Sequence, residues 1–283
     1  LLFKGTKTKD LQRWTTAVVP NKYPALLPRK KIEKKKEGKF FLVVSGAGYC
    51  ELVIPRDHKK TFAELSLWQI KEIIDCYQQR FLVLSKKPFV NYVLIFHNHR
   101  PEAGASQPHP HSQIITTPLI DVDLAKALFR AEDFWKREKK CIYCELNRFE
   151  MRAKKRIVFE NKNFLALCPF ASKCAFEVII SPKFHAPYFQ EISEEQKWDL
   201  AQIFFVIMRK LKILLQDPPY NFYLHAAPCD NKNYDFYHWH FTILPKTAIF
   251  AGFELGVKIE ISTIEPERAA FYLRRTKINE TQN

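Results

Sequence analysis

The chain has no run of about 18 apolar residues, so a membrane-spanning helix is not expected. Seven glycines in 283 residues is few, which makes Gly46, Gly48 and Gly104 worth noticing. The N-terminus begins Leu1-Leu2-Phe3, without methionine and without a signal-peptide pattern, which leaves open a trimmed or a partly ordered start and further residues upstream. With no secretion signal, a disulfide framework is not expected of seven cysteines, an odd number in which Cys141 and Cys144 alone form a tight pair. The compartment expected is the cytoplasm. Also missing is any interleaving of aromatic residues with the basic runs, which a single-strand nucleic-acid binder would need for base stacking.

The composition itself, 47% hydrophobic and 14% aromatic with 24 phenylalanines, supplies a core for one large domain or two of ordinary size. Much of the net charge of +15 sits in three short runs, at residues 29–36, 136–140 and 154–156. These lie between periodic segments and are expected to be solvated loops. A basic surface of this kind gathers anionic small substrates.

Residues 96–117, FHNHRPEAGASQPHPHSQIITT, are the most informative stretch. Four of the nine histidines fall within fifteen positions here: His97, His99, His109 and His111. Residues two apart on an extended strand share a face, so His109 and His111 look out together. One can be held as a ligand while the other attacks a substrate. The small residues 103–106 before them let backbone approach phosphate oxygens closely. The arrangement suits phosphoryl or nucleotidyl transfer through a histidine nucleophile. His97 and His99 sit at the end of an apolar strand, 92–96, where a core role is the blander reading.

The chain also reads twice. Strands are expected at 40–44 and 49–54, a helix at 61–85, and strands at 92–96 and 112–116. The second half repeats the order, with strands at 157–160, 164–167 and 176–180, a helix at 193–216 stopped by Asp217-Pro218-Pro219, and strands at 221–225 and 241–244. Pro55-Arg56-Asp57-His58 matches Ser181-Pro182-Lys183-Phe184-His185, and His109-Pro110-His111 matches His238-Trp239-His240. Such an internal repeat predicts a duplicated α+β fold with its sheets joined or facing. The halves are expected to divide near the charged stretch 131–140, as 1–130 and 131–283.

With these motifs the chain resembles the galactose-1-phosphate uridylyltransferase branch of the histidine-triad superfamily. The resemblance rests on Val18-Val19-Pro20-Asn21-Lys22-Tyr23-Pro24-Ala25-Leu26, the small-residue segment before His109-Pro110-His111-Ser112-Gln113, the Cys-x-x-Cys at 141, Pro182-Lys183-Phe184-His185, and Gly252-Phe253-Glu254. Asp217-Pro218-Pro219-Tyr220-Asn221 is especially similar to plant-type ADP-glucose phosphorylases. It implies two tandem histidine-triad-like (HIT-like) repeats, antiparallel sheets with helices packed on them, and a homodimer. The reaction it implies is ping-pong, with His111 attacking the α-phosphate of a nucleotide sugar. Gln113 would donate to a non-bridging oxygen, where hydrolytic members commonly carry a third histidine. Asn98, Gly104 and Ser106 would line the phosphates, His109 would belong to the same substrate-binding set, and Asn21 would lie near base and ribose. Exchange between UDP-glucose and a hexose 1-phosphate is the leading expectation. ADP-glucose phosphorolysis and dinucleoside polyphosphate phosphorolysis are the variants, and a non-catalytic nucleic-acid-binding HIT-like protein is the contrasting class.

A neutral imidazole is a good nucleophile near pH 7, and its other nitrogen needs an acceptor, expected to be a backbone carbonyl, to fix the tautomer. Metals follow from both lines of argument. A Cys-x-x-Cys without a secretion signal is a redox pair or half a metal site, and downstream histidines favour metal. The resemblance completes a zinc set of Cys141, Cys144, His185 and His238. Relatives that use residues matching His225, His238 and His240 keep iron open, and ordinary buried thiols are the plain alternative. In the first half it implies His58 and His109 as ligands, without the N-terminal Cys-x-x-Cys that should accompany them. Those cysteines either lie upstream of Leu1 or are lost, and Cys50, mid-strand, is a poor substitute.

Overall fold

The computed structural model describes residues 2–3, 14–249 and 251–278. Its first half runs β1 (Leu2–Phe3), β2 (Thr16–Pro20), β3 (Lys34–Glu37), β4 (Phe41–Val44), β5 (Cys50–Pro55), α1 (Leu67–Leu84), β6 (Tyr92–His99) and β7 (Ser112–Thr117). Helices α2 (Val122–Glu138) and α3 (Ile142–Ala153) follow. The second half comprises β8 (Ile157–Glu160), β9 (Phe164–Leu167), β10 (Val178–Pro182), α4 (Glu194–Leu214), β11 (Tyr220–His225) and β12 (His240–Pro245), ending in α5 (Gly252–Val257) and α6 (Pro266–Arg275). The α+β class expected from the sequence is the one observed. Residues 130 and 131 lie within α2.

The long helices begin alike because the same local chemistry starts them. Ser66 accepts from the Gln69 N–H while the Gln69 side chain accepts from the Ser66 N–H, and Ser193 and Gln196 repeat this reciprocal cap on α4. Both helices cover one face of the sheet. Their apolar stripes, Ile70, Ile73 and Tyr77 on α1 and Leu200, Phe204 and Ile207 on α4, enter one core with Ile95, Ile114, Phe222 and Phe241. Gln78 of α1 ties the halves again, donating to the carbonyls of Gln190 and Ile192 at 2.9 and 2.7 Å.

Ten strands form one sheet in the order β1-β2-β5-β7-β6-β11-β12-β10-β9-β8. Its seam is the antiparallel pair β6–β11, with Asn98 opposite Asn221 and His97 opposite Phe222. On either side the pattern repeats outward, β7-β5-β2 on one flank and β12-β10-β9 on the other. Gly48, just before β5, has no alternative, since a Cβ there would stand 2.1 Å from the Thr116 carbonyl oxygen.

Three stretches differ from expectation. The apolar strand at 41–44 does not join the core sheet. It folds back on the lysine-rich strand β3 as a separate exposed ribbon, turning at Gly38 with φ +62°. The local hairpin prevails because a left-handed turn residue sits between two extended runs. The basic run 136–140 begins inside α2, where Lys136 and Arg137 meet Glu132 and Asp133 at 2.7 and 3.1 Å, and where cations suit the exposed carbonyls of a C-terminal turn. The run 154–156 is not a solvated loop throughout. Arg156 is buried, bonding both oxygens of Glu150 and, at 2.5 Å, Glu267.

Candidate active site

Strand alternation sorts the histidine segment. Ser112, Ile114 and Thr116 of β7 are buried against the helices, and His111, Gln113 and Ile115 take the opposite, half-open face. On β6 the buried set is Val93, Ile95 and His97, leaving Phe96 and Asn98 on the open face. Residue 221 on β11 continues that face across the seam. Asn221 donates to the Asn98 side-chain oxygen at 2.8 Å and to the Ala103 carbonyl at 2.7 Å. A residue of the second half thus orients Asn98 beside His111.

The loop between β6 and β7 turns on Gly104, whose φ of +88° belongs to the left-handed region. Arg100 also lies there, at φ +70°. It is held by Asp217, which follows α4 and accepts from Arg100 at 2.5 Å and from His99 Nε2 at 3.2 Å. A cavity of about 280 Å³ opens against this loop, with Lys59, Arg100, Ser106 and His109 among its walls. Asn21, at the end of β2, bonds its backbone N–H to the Cys50 carbonyl and its side chain to the Tyr23 N–H.

The two motif histidines have fixed tautomers. His111 Nδ1–H donates to the His109 carbonyl at 2.9 Å, so its Nε2 carries the lone pair. That carbonyl is the acceptor anticipated for a nucleophilic imidazole. His109 Nε2–H donates to the Pro55 carbonyl at 2.7 Å, leaving Nδ1 as its acceptor nitrogen. His58 packs on it, with ring centroids 4.2 Å apart. Cys50 is buried and directs its thiol to the Leu26 carbonyl.

His97 lies behind the strand, stacked on Phe222 at 5.0 Å. Tyr77 donates to Ser112 Oγ at 2.5 Å, and the Ser112 hydroxyl is left to donate to His97 Nδ1 at 3.2 Å. Burial pushes the His97 imidazole down to about 3. A histidine depressed in the folded state stays neutral while the unfolded chain takes up a proton, so stability falls as pH drops from 6.5 toward 3. By pH 5 the loss is about 2 kcal/mol from this residue alone. Urea titrations at pH 7 and pH 5 should show that loss, and His97→Phe, which keeps the stacking, should reduce it. An unchanged pH slope in the variant would exclude His97 as its source.

A second cluster stands in the other half. Cys141 and Cys144 at the start of α3, His185 after β10 and His238 before β12 bring four ligand atoms within 4.8 Å of one another. Cys144 Sγ lies 3.5 Å from both His185 Nδ1 and His238 Nδ1. The far nitrogens are already engaged, His185 Nε2–H with the Asp235 carbonyl at 2.7 Å and His238 Nε2–H with the Pro182 carbonyl at 3.1 Å. Both Nδ1 lone pairs therefore face the thiols, the orientation outer partners impose on metal-binding histidines. The Cys141 thiol is pushed well down, by Cys144 first and then by His238 against the opposing effect of burial. His225 and His240 stack on each other nearby at 4.5 Å.

The sequence gives Asp217, Asn221, Tyr77 and Ser112 no functional role of their own. Asp217 and Asn221 are signalled by the motif they bound and Ser112 by its place after His111, while Tyr77 reads as an apolar helix residue.

A duplicated α+β chain with a tautomer-locked His-Pro-His segment leading into a core strand defines the class. The descriptions matched are galactose-1-phosphate uridyl transferase, N-terminal domain, at residues 4–120, and its C-terminal domain at residues 128–276. The chain belongs to the galactose-1-phosphate uridylyltransferase family. It is 32% identical to the galactose-1-phosphate uridylyltransferase of Thermotoga maritima over 267 residues, 91% of this chain and 83% of that protein. It is 27% identical to the ADP-glucose phosphorylase of Arabidopsis thaliana over 269 residues, 94% of this chain and 75% of that one. Among solved structures, the Arabidopsis ADP-glucose phosphorylase with bound ADP-glucose superposes with a TM-score of 0.83 at 26% identity, covering 94% of this chain and 83% of that chain. A uridylyltransferase structure gives 0.84 at 29% identity, covering 92% and 85%.

Proposed function

We propose that the protein is a nucleotidyltransferase acting on nucleotide sugars through a covalent nucleotidyl-histidine at His111. The observation that carries this reading is the 2.9 Å bond from His111 Nδ1–H to the His109 carbonyl, which leaves Nε2 as a neutral nucleophile on the open face. The Nε2 lone pair attacks the α-phosphorus, the bond to the leaving oxygen breaks, and the sugar 1-phosphate departs. An acceptor phosphate oxygen then attacks the same phosphorus, and the phosphorus–nitrogen bond breaks. Gln113, on the same face as His111, donates to a non-bridging oxygen as charge develops. Asn98, Gly104 and Ser106 line the phosphates, His109 belongs to the same substrate-binding set, and Asn21 lies toward base and ribose.

The leading reaction is exchange of UMP between UDP-glucose and a hexose 1-phosphate, supported by the identity to the Thermotoga enzyme. The second reading, ADP-glucose with phosphate as acceptor, is supported by the breadth of the match to the Arabidopsis phosphorylase. The active half corresponds to residues 1–130 and the metal-bearing half to 131–283. Two thiolates and two imidazoles suit a closed zinc site at Cys141, Cys144, His185 and His238 better than iron. His58 and His109 supply two of the four donors a first-half zinc would need. The proposal includes a homodimer and a cytoplasmic location.

Intact-mass spectrometry after brief incubation with UDP-glucose, UDP-galactose or ADP-glucose, one at a time, tests the reading. A gain of one UMP or one AMP is the expected result and names the base. No gain with any of the three would overturn it.

A further inference from the structure

The second half has a cavity where the first half has the surroundings of His111. Pairing registers establish the correspondence. In the first half Val53 pairs with Ser112, which puts Ile54 beside His111. Val19 pairs with Leu52, and Asn21 follows two residues later. In the second half Ile180 pairs with Phe241, which puts Ser181 beside His240. Leu167 pairs with Ile179, and Pro169 follows two residues later. His240 repeats the bond of His111 as well, with Nδ1–H donating to the His238 carbonyl at 3.3 Å.

Ser181, His240, Ile179, Leu167 and Pro169 all line one cavity of about 310 Å³. Helix α3 forms its other wall with Tyr143, Leu146 and Asn147. The volume lies at the lower end of the roughly 300–1,000 Å³ of small-molecule sites. Its walls are mainly apolar, with polar groups few and grouped. Asn147 is positioned by bonds to Ser181 Oγ and the Pro182 carbonyl, both at 2.9 Å. Phe170, also lining the cavity, is 76% exposed at the rim, with the Arg156 guanidinium over its ring at 5.3 Å from the centroid.

We propose that this cavity binds a nucleoside, through its base, as a second site without chemistry. The choice of ligand rests on the nucleotide-binding reading of the first half, because the cavity occupies the matching place on the repeated sheet. Tyr143 and Phe170 line it with aromatic rings for a planar base, while the Asn147 side-chain oxygen, its N–H groups being spent on Ser181 and Pro182, is the polar atom left to accept from the base edge. Phosphate is not accommodated in the same way. The counterpart of Gln113 is Thr242, which is buried, and the buried Tyr237 and Trp239 stand where the first half has Pro108 and Pro110 after its small-residue loop. Neither a phosphorus-facing carboxamide nor a glycine-bearing loop is present on that strand, so transfer at His240 is not expected.

Photolabelling of the full chain with 8-azidoadenosine and 5-azidouridine, followed by peptide mapping, tests this. Label on peptides carrying Tyr143 or Phe170, displaced by the unmodified nucleoside, is the expected result. Leu146→Trp at the exposed rim should cut that label at least fivefold and leave the His111 adduct unchanged. Label confined to first-half peptides, or cavity label that neither competitor nor Leu146→Trp reduces, would overturn the proposal. Intact mass with a nucleotide sugar, run on the same samples, separates the two readings. An adduct without cavity label overturns the second site alone, and cavity label without an adduct supports it while overturning the reaction.

Discussion

His111→Gly will form no adduct with any nucleotide sugar and will regain part of its turnover when imidazole is added. The residue stands at the head of β7 on the half-open face, so glycine removes the ring without unpacking the core behind Ser112. Free imidazole can then present the lone pair that the ring held, and its nucleotidyl product is attacked by the acceptor in solution. Gln113→Ala should behave differently. It keeps the nucleophile, so the adduct forms, but at a rate lower by about 10²–10³-fold, the usual loss when one donor to developing charge is removed. Full turnover in His111→Gly without imidazole would sink the nucleophile assignment. A normal adduct rate in Gln113→Ala would sink the donor assignment.

Cys144→Ala should cost stability and metal together, and far more than it costs the chemical step. The four donors join the start of α3 to the segments around His185 and His238, and they converge within 4.8 Å. Structural zinc in small domains contributes about 10–16 kcal/mol of apparent binding energy, comparable with the 5–15 kcal/mol that holds a whole domain folded. Even a fraction of that, expressed as melting temperature in a chain of this size, is a fall of about 10 °C or more. Elemental analysis should find one zinc per chain in the parent and none in the variant. A variant that keeps its metal and melts like the parent would exclude this cluster as the site.

The repeat was legible in the sequence because each half writes the same periodicities in the same order, and most strands fall within two residues of their expected bounds. The open-face place of Gln113, with Ser112 and Ile114 turned inward, follows from the same local alternation. Contacts made across the seam were not legible. Nothing in the spacing of Asp217 and Asn221 says that they reach Arg100, His99 and Asn98 more than a hundred residues earlier. The lysine run at 154–156 misled because charge suggests solvent, while Arg156 finds Glu150 on its own half and Glu267 far along the chain. The strand at 41–44 misled in the opposite sense. Its apolar run is of core quality, yet the turn at Gly38 commits it to a neighbour before the sheet can recruit it.

The β6–β11 seam makes the molecule indivisible. Parted between the halves, each fragment would present a raw strand edge, β6 with Val93 and Ile95 or β11 with Phe222 and Leu224, and such edges invite aggregation. The first fragment would also lose Asn221 from Asn98 and Asp217 from Arg100. A cut through α2 therefore does not release two working modules, one carrying His111 and one carrying the cysteines.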